Sequence, residues 1–451
     1  MTVIETLAAF ATGTQAPDSA RAAARLRLLD WMGGTIAGGI EAPATLLARA
    51  LPGSGPARLI PGGEGRDPRT AALINGAASH TVEVDDIYSP GLYHPGVCVI
   101  PAALALAEAE GAPGPRLIDA IIAGYEVSNR IARTVNPAHY EHWHTTATVG
   151  HFGAAVAGSV ALGLDADRTA HAMASAASMA AGLRHAFSSD AMTKPIHAGR
   201  AAEAGVLCAL SARAGVTGVL DMLEGARGFG IAMSDGPDWT RALRGLGTEW
   251  TIVATTPKAH ACCGHNFATL DGVCAIMAAE GLVAADIASI HARVYRATAE
   301  ICGNPDPVTA AEARFSLPYC AAVMALRGVV VPGDFAEAAL ADPDIRDLAA
   351  RVSFRIDPDH EAAFPDLRPA TTEIETRDGR RFTHVQKTRK GDPAEPLTGA
   401  ELTAKFHALA APVIGEQAAR DLASAIEHLE DGTDLSGLAP WGYGAPGQAA
   451  E

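Results

Sequence analysis

Residues 185–205, HAFSSDAMTKPIHAGRAAEAG, mark a change from a polar loop to an alanine-rich helix, and the other segments can be interpreted around them. The loop ends at Lys194, His197 follows three residues later, and we expect the helix to open at Gly199 and run to Arg213. A helix N-terminus presents unpaired backbone N–H groups and a partial positive charge, which suit an anionic ligand. The stretch therefore predicts a site for carboxylate binding and proton transfer. The alternative is a solvated surface loop before a helix.

The wider pattern predicts a mainly α protein with a smaller α/β part. Alanine-rich helical patterning continues to about residue 235, and period-2 alternation is almost absent from that half. Residues 287–295 and 352–356 are typical of strands, and Asp378-Gly379 marks the turn of a hairpin. We predict a large all-α helical domain over residues 1–266, an inserted α/β lid domain over 267–395, and C-terminal helices over 396–451 that return to the helical domain.

The composition limits the classes of partner. Hydrophobic residues make up 48% of the chain, and 35 Lys and Arg against 51 Asp and Glu give a net charge of −16. This acidic balance argues against nucleic acid and anionic membranes as partners. Seven cysteines without a CxxC pair fit a reducing compartment. The N-terminus lacks a basic n-region, and no apolar run reaches the roughly 18 residues of a membrane span, so we expect a cytoplasmic protein.

Residues 80–101, HTVEVDDIYSPGLYHPGVCVIP, place the acidic pair Asp85 and Asp86 before His94 and an apolar helix. Adjacent side chains point in different directions, so the two carboxylates need not act together. One of them could bind substrate hydroxyls or tune a neighbouring cation. The alternative is an acidic loop with a capping role.

Residues 139–151, HYEHWHTTATVGH, are dense in histidine, so a metal site has to be considered. The stretch has no HExxH motif and no nearby carboxylate at a suitable spacing, and we therefore predict no metal. His144 beside two threonines is better suited to proton shuttling or carboxylate binding.

Two further stretches contribute candidates. Residues 256–271, TPKAHACCGHNFATLD, hold Lys258, His260 and His265 at the predicted domain boundary, where small-molecule sites are common. In RFSLPYC, residues 314–320, Tyr319 is either a hydroxyl donor in a cleft or a tyrosine of the core.

Taken together, these stretches resemble the MmgE/PrpD family, which includes 2-methylcitrate dehydratase, cis-aconitate decarboxylase and iminodisuccinate epimerase. The resemblance covers nearly the whole chain. Its motifs, in order, are VDDIY followed by HPG, HWHTTATVGHFGAAVAG, TKPIHAGRAAEAG, KAHACCG, ARFSLPYC and RDGRRFTHVQKTRKGDPAEPLTGAELTAKF. It implies a helical domain closed by an α/β lid, a homodimer, no metal or organic cofactor, and small anionic di- or tricarboxylate substrates.

The resemblance also implies a set of site residues. Carried over by position, the family's active-site set is Asp85 or Asp86, His94, His144, Lys194 and Lys258, with Tyr319 where a substrate-contacting tyrosine is expected. The residues themselves add three further candidates, which are His197 and either His260 or His265. Lysines and histidines would neutralise substrate carboxylates, stabilise the enediolate formed when a proton leaves the carbon α to a carboxylate, and move that proton. Lys194 is the best candidate for the base.

Three interpretations of the function remain open. A 2-methylcitrate dehydratase-like lyase is the first, although Ile87 and Phe267 stand where the family often has a hydroxyl residue and a histidine. If Lys194 were opposed by His260 or His265, two bases would invert a stereocentre, and an epimerase of a dicarboxylate such as iminodisuccinate is the second. The third is a non-catalytic polycarboxylate-binding relative. A metal-dependent hydrolase is a distant further possibility.

Overall fold

The computed structural model describes residues 1–63, 65–187, 191–364, 367–432 and 434–440, and these residues are mainly helical. They divide into two compact units. The first combines residues 1–257 with residues 398–451, and the second spans residues 258–397. Residues 188–190 of the polar loop lie outside the described residues. In the part of the chain that is described, no helix has the combination of length and apolar character that crossing a membrane requires.

Alanine-rich helices build the N-terminal part of the first unit, because alanine has the highest helix propensity. These helices are α1 (Val3–Gly13), α2 (Asp18–Gly39), α3 (Ala44–Ala50), α4 (Pro68–Ser79), α5 (Gly96–Glu110), α6 (Gly114–Val135), α7 (Thr145–Ala161), α8 (Ala166–Met179), α9 (Thr193–Arg213), α10 (Phe229–Met233) and α11 (Thr240–Leu243). A short antiparallel pair, β1 (Ala57–Arg58) and β2 (Gly65–Arg66), lies between α3 and α4.

Helix α7 lies in the core of this unit, and every one of its residues is buried. It packs against α6 and α9. The α7–α9 contact is close because small residues face each other, and a Cβ atom on Gly205 would lie only 2.3 Å from the Cβ of Ala154. A larger residue at position 205 would push these helices apart, since protein cores are close-packed.

Helix α9 begins earlier than the sequence predicted, and the expected start at Gly199 was wrong. Lys194 and His197 lie within the first two turns of the helix rather than in the loop before it. Pro195 is compatible with this start because the first backbone N–H groups of a helix have no intrahelical acceptor. Gly199 has a packing role instead, since a Cβ there would lie 2.1 Å from the carbonyl oxygen of Leu73.

The second unit contains a mixed four-stranded sheet. Its elements are α12 (Phe267–Glu280), β3 (Ile287–Val294), α13 (Arg296–Ile301), α14 (Ala310–Arg314), α15 (Leu317–Arg327), α16 (Glu337–Leu340), α17 (Pro343–Ala349), β4 (Val352–Ile356), α18 (Pro358–Ala363), β5 (Ala370–Thr376) and β6 (Arg381–Gln386). The strand order is β4-β3-β5-β6, with β3 parallel to β4 and antiparallel to β5. Strands β5 and β6 form a hairpin in which Gly379 adopts a φ of +86°, a conformation that favours glycine. The chain then continues in the first unit as α19 (Gly399–Ile414) and α20 (Glu416–Glu427).

The second unit starts at residue 258, whereas the sequence interpretation placed the division at residue 267. Backbone hydrogen bonds attach the intervening segment to the second unit. The N–H of Ala261 donates to the carbonyl of Val330 at 3.0 Å, and the N–H of Cys263 donates to that of Arg314 at 2.9 Å. The unit ends at residue 397, close to the expected 395. Its role as a lid stays a prediction.

Candidate active site

The loop between α4 and α5 brings Asp85 against two histidines. His80 caps the C-terminus of α4, and its Nδ1 lies 2.9 Å from Oδ2 of Asp85. The Nδ1 of His94 lies 2.7 Å from the same oxygen. Because an ionised carboxylate can only accept, both rings carry a proton on Nδ1 in this arrangement. Asp85 therefore fixes the tautomer and the orientation of His80. Nδ1 of His94 contacts the backbone carbonyl of Asp86 at 2.9 Å as well as Asp85, and His94, the more exposed of the two rings, is suited to proton transfer.

The neighbouring Asp86 points elsewhere and has a different environment. Its carboxylate accepts a hydrogen bond from the hydroxyl of Tyr125 at 2.8 Å and another from the N–H of Gly96 at 3.1 Å. Burial raises the pKa of Asp86 from 3.8 to about 6. These contacts tie the start of α5 to α6. The acidic pair therefore splits into Asp85, which contacts histidines, and Asp86, whose contacts anchor helices.

His144 extends the histidine cluster from the start of α7. Its ring stacks on that of His80 with 5.7 Å between centroids and 17° between planes, and its Nδ1 lies 3.2 Å from Nδ1 of His197. Burial, with smaller contributions from the neighbouring His80 and Lys194, holds the pKa of His144 well below its usual range. Burial also lowers the pKa of His80 and of His197. These three imidazoles are therefore neutral at pH 7.

Lys194 brings a positive charge to the same place. Its Nζ forms a short ion pair with the carboxylate of Glu83 and lies 5.7 Å from the ring centre of Phe187. Glu83 has a φ of +58°, a left-handed conformation that costs a residue other than glycine roughly 1 kcal/mol. The first unit thus combines a paired lysine with neutral, oriented imidazoles.

The described residues of the first unit bring five of the ten predicted site residues together: Asp85, His94, His144, Lys194 and His197. Sequence reasoning missed His80 and Glu83. His80 opens the quoted stretch HTVEVDD, yet no helical or strand period links it to Asp85. Glu83 had no signal, because a left-handed backbone at a glutamate has no signature in the sequence.

The two histidine candidates of the second unit have partners within that unit. Lys258 is buried. Nε2 of His260 lies 3.1 Å from Oδ1 of Asp271, and Nδ1 of His265 lies 2.7 Å from the hydroxyl of Tyr295. Burial, assisted by two nearby arginines, lowers the pKa of His265 to about 3. His265 is therefore neutral at physiological pH.

Tyr319 lies in the core of the second unit. Its side chain is fully buried, and its hydroxyl donates to the carbonyl of Asp334 at 2.7 Å. Ser316 caps the same helix by accepting from the N–H of Tyr319. Packing explains both features, so the core interpretation of Tyr319 is favoured over a substrate contact.

His80, Asp85 and His94 also have the composition of a metal site, with ligand atoms within 4.8 Å of one another. A zinc ion would lie about 2.0–2.2 Å from each donor atom. Here Oδ2 of Asp85 already occupies the point on which both Nδ1 atoms converge, at 2.9 and 2.7 Å. The carboxylate therefore contacts both rings directly, which accounts for this grouping without a metal ion.

Two other histidines of the 139–151 stretch have structural partners. Nδ1 of His139 lies 2.7 Å from the carbonyl of Met233, and Nε2 lies 2.6 Å from the hydroxyl of Thr148. Nδ1 of His151 lies 2.6 Å from the carbonyl of Ala147. Burial lowers the pKa of each ring to about 4. Both rings are therefore neutral core groups.

The burial of His139 and His151 predicts that the folded protein loses stability in acid. Between about pH 6.5 and 4 the unfolded chain binds protons at His139 and His151 that the folded chain does not, so their stability contribution is lost as pH falls. In this range each ring should lower the free energy of unfolding by about 1.4 kcal/mol for every unit by which the pH falls. Thermal unfolding from pH 7.5 to 4.5 should show a shallower decline for His139→Gln than for the wild type. The exposed His142→Gln is the control, and equal slopes for His139→Gln and wild type would contradict this account.

Comparison with known proteins covers both units. A model of the MmgE/PrpD N-terminal domain matches residues 5–242, and one of the MmgE/PrpD C-terminal domain matches residues 260–431. Cis-aconitate decarboxylase of Homo sapiens is 29% identical over 399 residues, covering 82% of this chain and 78% of the relative. The mouse protein of the same name is 29% identical over 388 residues, with the same coverage. Cis-aconitate decarboxylase of Aspergillus terreus is 27% identical over 408 residues, covering 85% of this chain and 83% of the relative.

Proposed function

The chain belongs to the MmgE/PrpD family, and on that basis we propose that it is a lyase acting on a small di- or tricarboxylate. The cluster of Lys194, His94 and the neutral imidazoles around Asp85 supports this most directly. A paired cation beside oriented proton carriers suits a reaction in which negative charge develops on a carboxylate.

Decarboxylation of cis-aconitate is the first reaction to test, because the relatives described above are named for it. The sequence motifs alone favoured dehydration of a methylcitrate-type substrate. Both reactions can pass through an enediolate, in which the electron pair on the carbon α to a carboxylate is delocalised onto its oxygens. Preorganised positive charge stabilises such an intermediate.

Each residue of the first unit has a proposed role. Lys194 supplies the positive charge next to the developing enediolate, His94 carries a proton under the control of Asp85, and His144 with His197 binds a further carboxylate. For the second unit, carboxylate binding by Lys258 stays a prediction of the family resemblance, and proton transfer by His260 or His265 opposite Lys194 stays a prediction from the sequence.

Proton NMR of the purified protein in D2O tests the function. The panel contains cis-aconitate, citrate, 2-methylcitrate and each enantiomer of iminodisuccinate. We expect cis-aconitate to give a new alkene with loss of one carboxyl group. Loss of water from citrate or 2-methylcitrate would instead select the dehydratase. Deuterium entering the α position with inversion and without an alkene would select the epimerase. Silence across the panel, with no deuterium exchange, would contradict an enzyme of this class and favour a binding protein.

A further inference from the structure

We propose that Cys263 and Cys302 of the second unit are a modification site, at which hydrogen peroxide oxidises the two thiols to a disulfide. The inference is independent of the proposed function, since it concerns thiol chemistry that the turnover of a polycarboxylate does not use. Three observations carry it: the contact between the two thiols, their different exposure and the positive charge beside Cys263.

Backbone hydrogen bonds attach both cysteines to one short segment of the second unit. The N–H of Cys263 donates to the carbonyl of Arg314 at 2.9 Å, and the carbonyl of Cys302 accepts from the N–H of Leu317 at 2.8 Å. Cys302 directly follows α13, and Cys263 packs against the buried cluster that contains Cys302 and Leu317. The fold therefore brings together two cysteines that are distant in the sequence.

The two thiols also contact each other directly. The side chain of Cys302 forms a hydrogen bond with that of Cys263, and this bond, followed by burial, holds the pKa of Cys302 well above its usual range. A hydrogen bond that raises the pKa of a thiol stabilises its neutral, donating form. Cys302 is therefore the protonated donor of the pair, and the sulfur of Cys263 is the acceptor.

Cys263 is the member of the pair that an oxidant can reach. It is half-buried, whereas Cys302 is fully buried. Arg368 lies close enough for its charge to interact with the sulfur of Cys263. A neighbouring cation favours the thiolate, which is the reactive form of cysteine. An accessible thiol beside a cation and a second thiol is typical of oxidation-sensitive cysteines, so we assign Cys263 as the thiol that reacts first and Cys302 as the one that resolves it.

A second thiol contact nearby lacks this arrangement. Cys320 contacts Cys262, and both of these side chains are fully buried. Burial is the main cause that raises the pKa of Cys320 well above its usual range, and the contact with Cys262 adds to it. Buried cysteines are generally inert. We therefore expect Cys262 and Cys320 to stay reduced while Cys263 and Cys302 are oxidised.

The oxidation takes place in two balanced steps. The thiolate of Cys263 attacks one oxygen of hydrogen peroxide, so that an S–O bond forms, the O–O bond breaks and the leaving hydroxide takes up a proton. The sulfur of Cys302 then attacks the sulfenic acid of Cys263, so that an S–S bond forms and the S–O bond breaks with loss of water. In total the two thiols lose two electrons and two protons, and one peroxide is reduced to two waters.

The test treats the folded protein with one equivalent of hydrogen peroxide, blocks the remaining thiols with N-ethylmaleimide under acid, and maps the digested protein by mass spectrometry. We expect a pair of peptides joined between Cys263 and Cys302, with the mass of two hydrogen atoms missing, and we expect dithiothreitol to separate them. Cys274→Ala is the control, because Cys274 is more exposed than either cysteine of the pair. This variant should form the disulfide in the same yield as the wild type.

Two variants separate the roles of the paired thiols. Cys302→Ala should stop the reaction at the sulfenic acid of Cys263, which dimedone traps as a covalent adduct. In the wild type this adduct should be scarce, because Cys302 consumes the sulfenic acid. Cys263→Ala should lose both the disulfide and the adduct. It changes a half-buried position, so it tests the pair even where Cys302→Ala fails to fold.

Absence of the Cys263–Cys302 disulfide from the oxidised wild type would overturn the inference. A disulfide between Cys262 and Cys320 in its place, or oxidation confined to Cys274, would overturn it as well. So would a dimedone adduct of Cys263 that is as abundant in the wild type as in Cys302→Ala, because Cys302 would then not resolve the sulfenic acid. Turnover of a polycarboxylate is measured separately, and its failure would overturn the proposed function alone.

Discussion

Lys194→Ala should fold and lose at least about 100-fold in kcat with cis-aconitate, the scale expected when one preorganised group that stabilises transition-state charge is removed. Lys194 is the positive group paired with Glu83, and the imidazoles of His80, His144 and His197 are kept neutral by burial. Alanine has high helix propensity, and the side chain of Lys194 is partly exposed, so α9 should persist. Steady-state kinetics and thermal unfolding measured on the same preparation check both halves of this prediction.

Lys387→Ala is the matched control for Lys194→Ala. Lys387 is exposed on the second unit, and its removal deletes the same charge and side chain. We expect its kcat to equal that of the wild type. Wild-type activity in Lys194→Ala would remove Lys194 from the mechanism, and an equal loss in both variants would point to a general effect of charge.

Asp85→Asn should reduce kcat on the order of 100-fold, because Asp85 orients His80 and places a negative charge next to His94. One oxygen of Asp85 accepts from Nδ1 of His80 at 2.9 Å and lies 2.7 Å from Nδ1 of His94, which also contacts the carbonyl of Asp86. An asparagine amide is a weaker acceptor, and in its other orientation it presents a donor to two donors. His80 would then lose the tautomer and the orientation that the carboxylate imposes, and His94 would lose the adjacent negative charge. The variant should also unfold more readily, by about 1–3 kcal/mol, since the buried Nδ1 of His80 loses its charged acceptor.

Asp119→Asn separates this effect from a general loss of charge in the first unit. Asp119 pairs with Arg21, and its side chain is 47% exposed. We expect unchanged kcat and a stability change below about 1 kcal/mol. If Asp85→Asn retained full activity, His94 would not depend on Asp85 for its proton transfer, and the proposed arrangement would have to be abandoned.

Periodic patterns in the sequence predicted the fold better than they predicted the start of helix α9. The hairpin at Gly379 and the strand over Val352–Ile356 follow from alternation and turn chemistry, which are local properties. The predicted start at Gly199 was wrong because, in a sequence, a glycine inside a helix resembles the end of a helix. The small size of Gly199 instead allows the close contact between α9 and α4. Such a contact depends on a residue distant in sequence, and local patterns carry no record of it.

The residues of the candidate site divide in the same way, into those that the local sequence indicates and those that depend on contacts distant in sequence. His94, His144 and Lys194 were found through their polar surroundings and the family motifs. His80 and Glu83 were not found, because their roles arise from how the loop after α4 is folded back. That fold depends on buried anchors at both sides of Glu83, which only the three-dimensional structure brings together.

The most direct test of the central claim is decarboxylation of carboxyl-¹³C-labelled cis-aconitate in D2O by wild type and Lys194→Ala, followed by NMR. We predict that the wild type releases labelled CO2 in step with an alkene product carrying one deuterium on a carbon α to a carboxylate, and that Lys194→Ala does neither at a comparable rate. Release of CO2 without deuterium at that carbon, or equal rates for the two proteins, would contradict a decarboxylation that passes through an enediolate stabilised by Lys194.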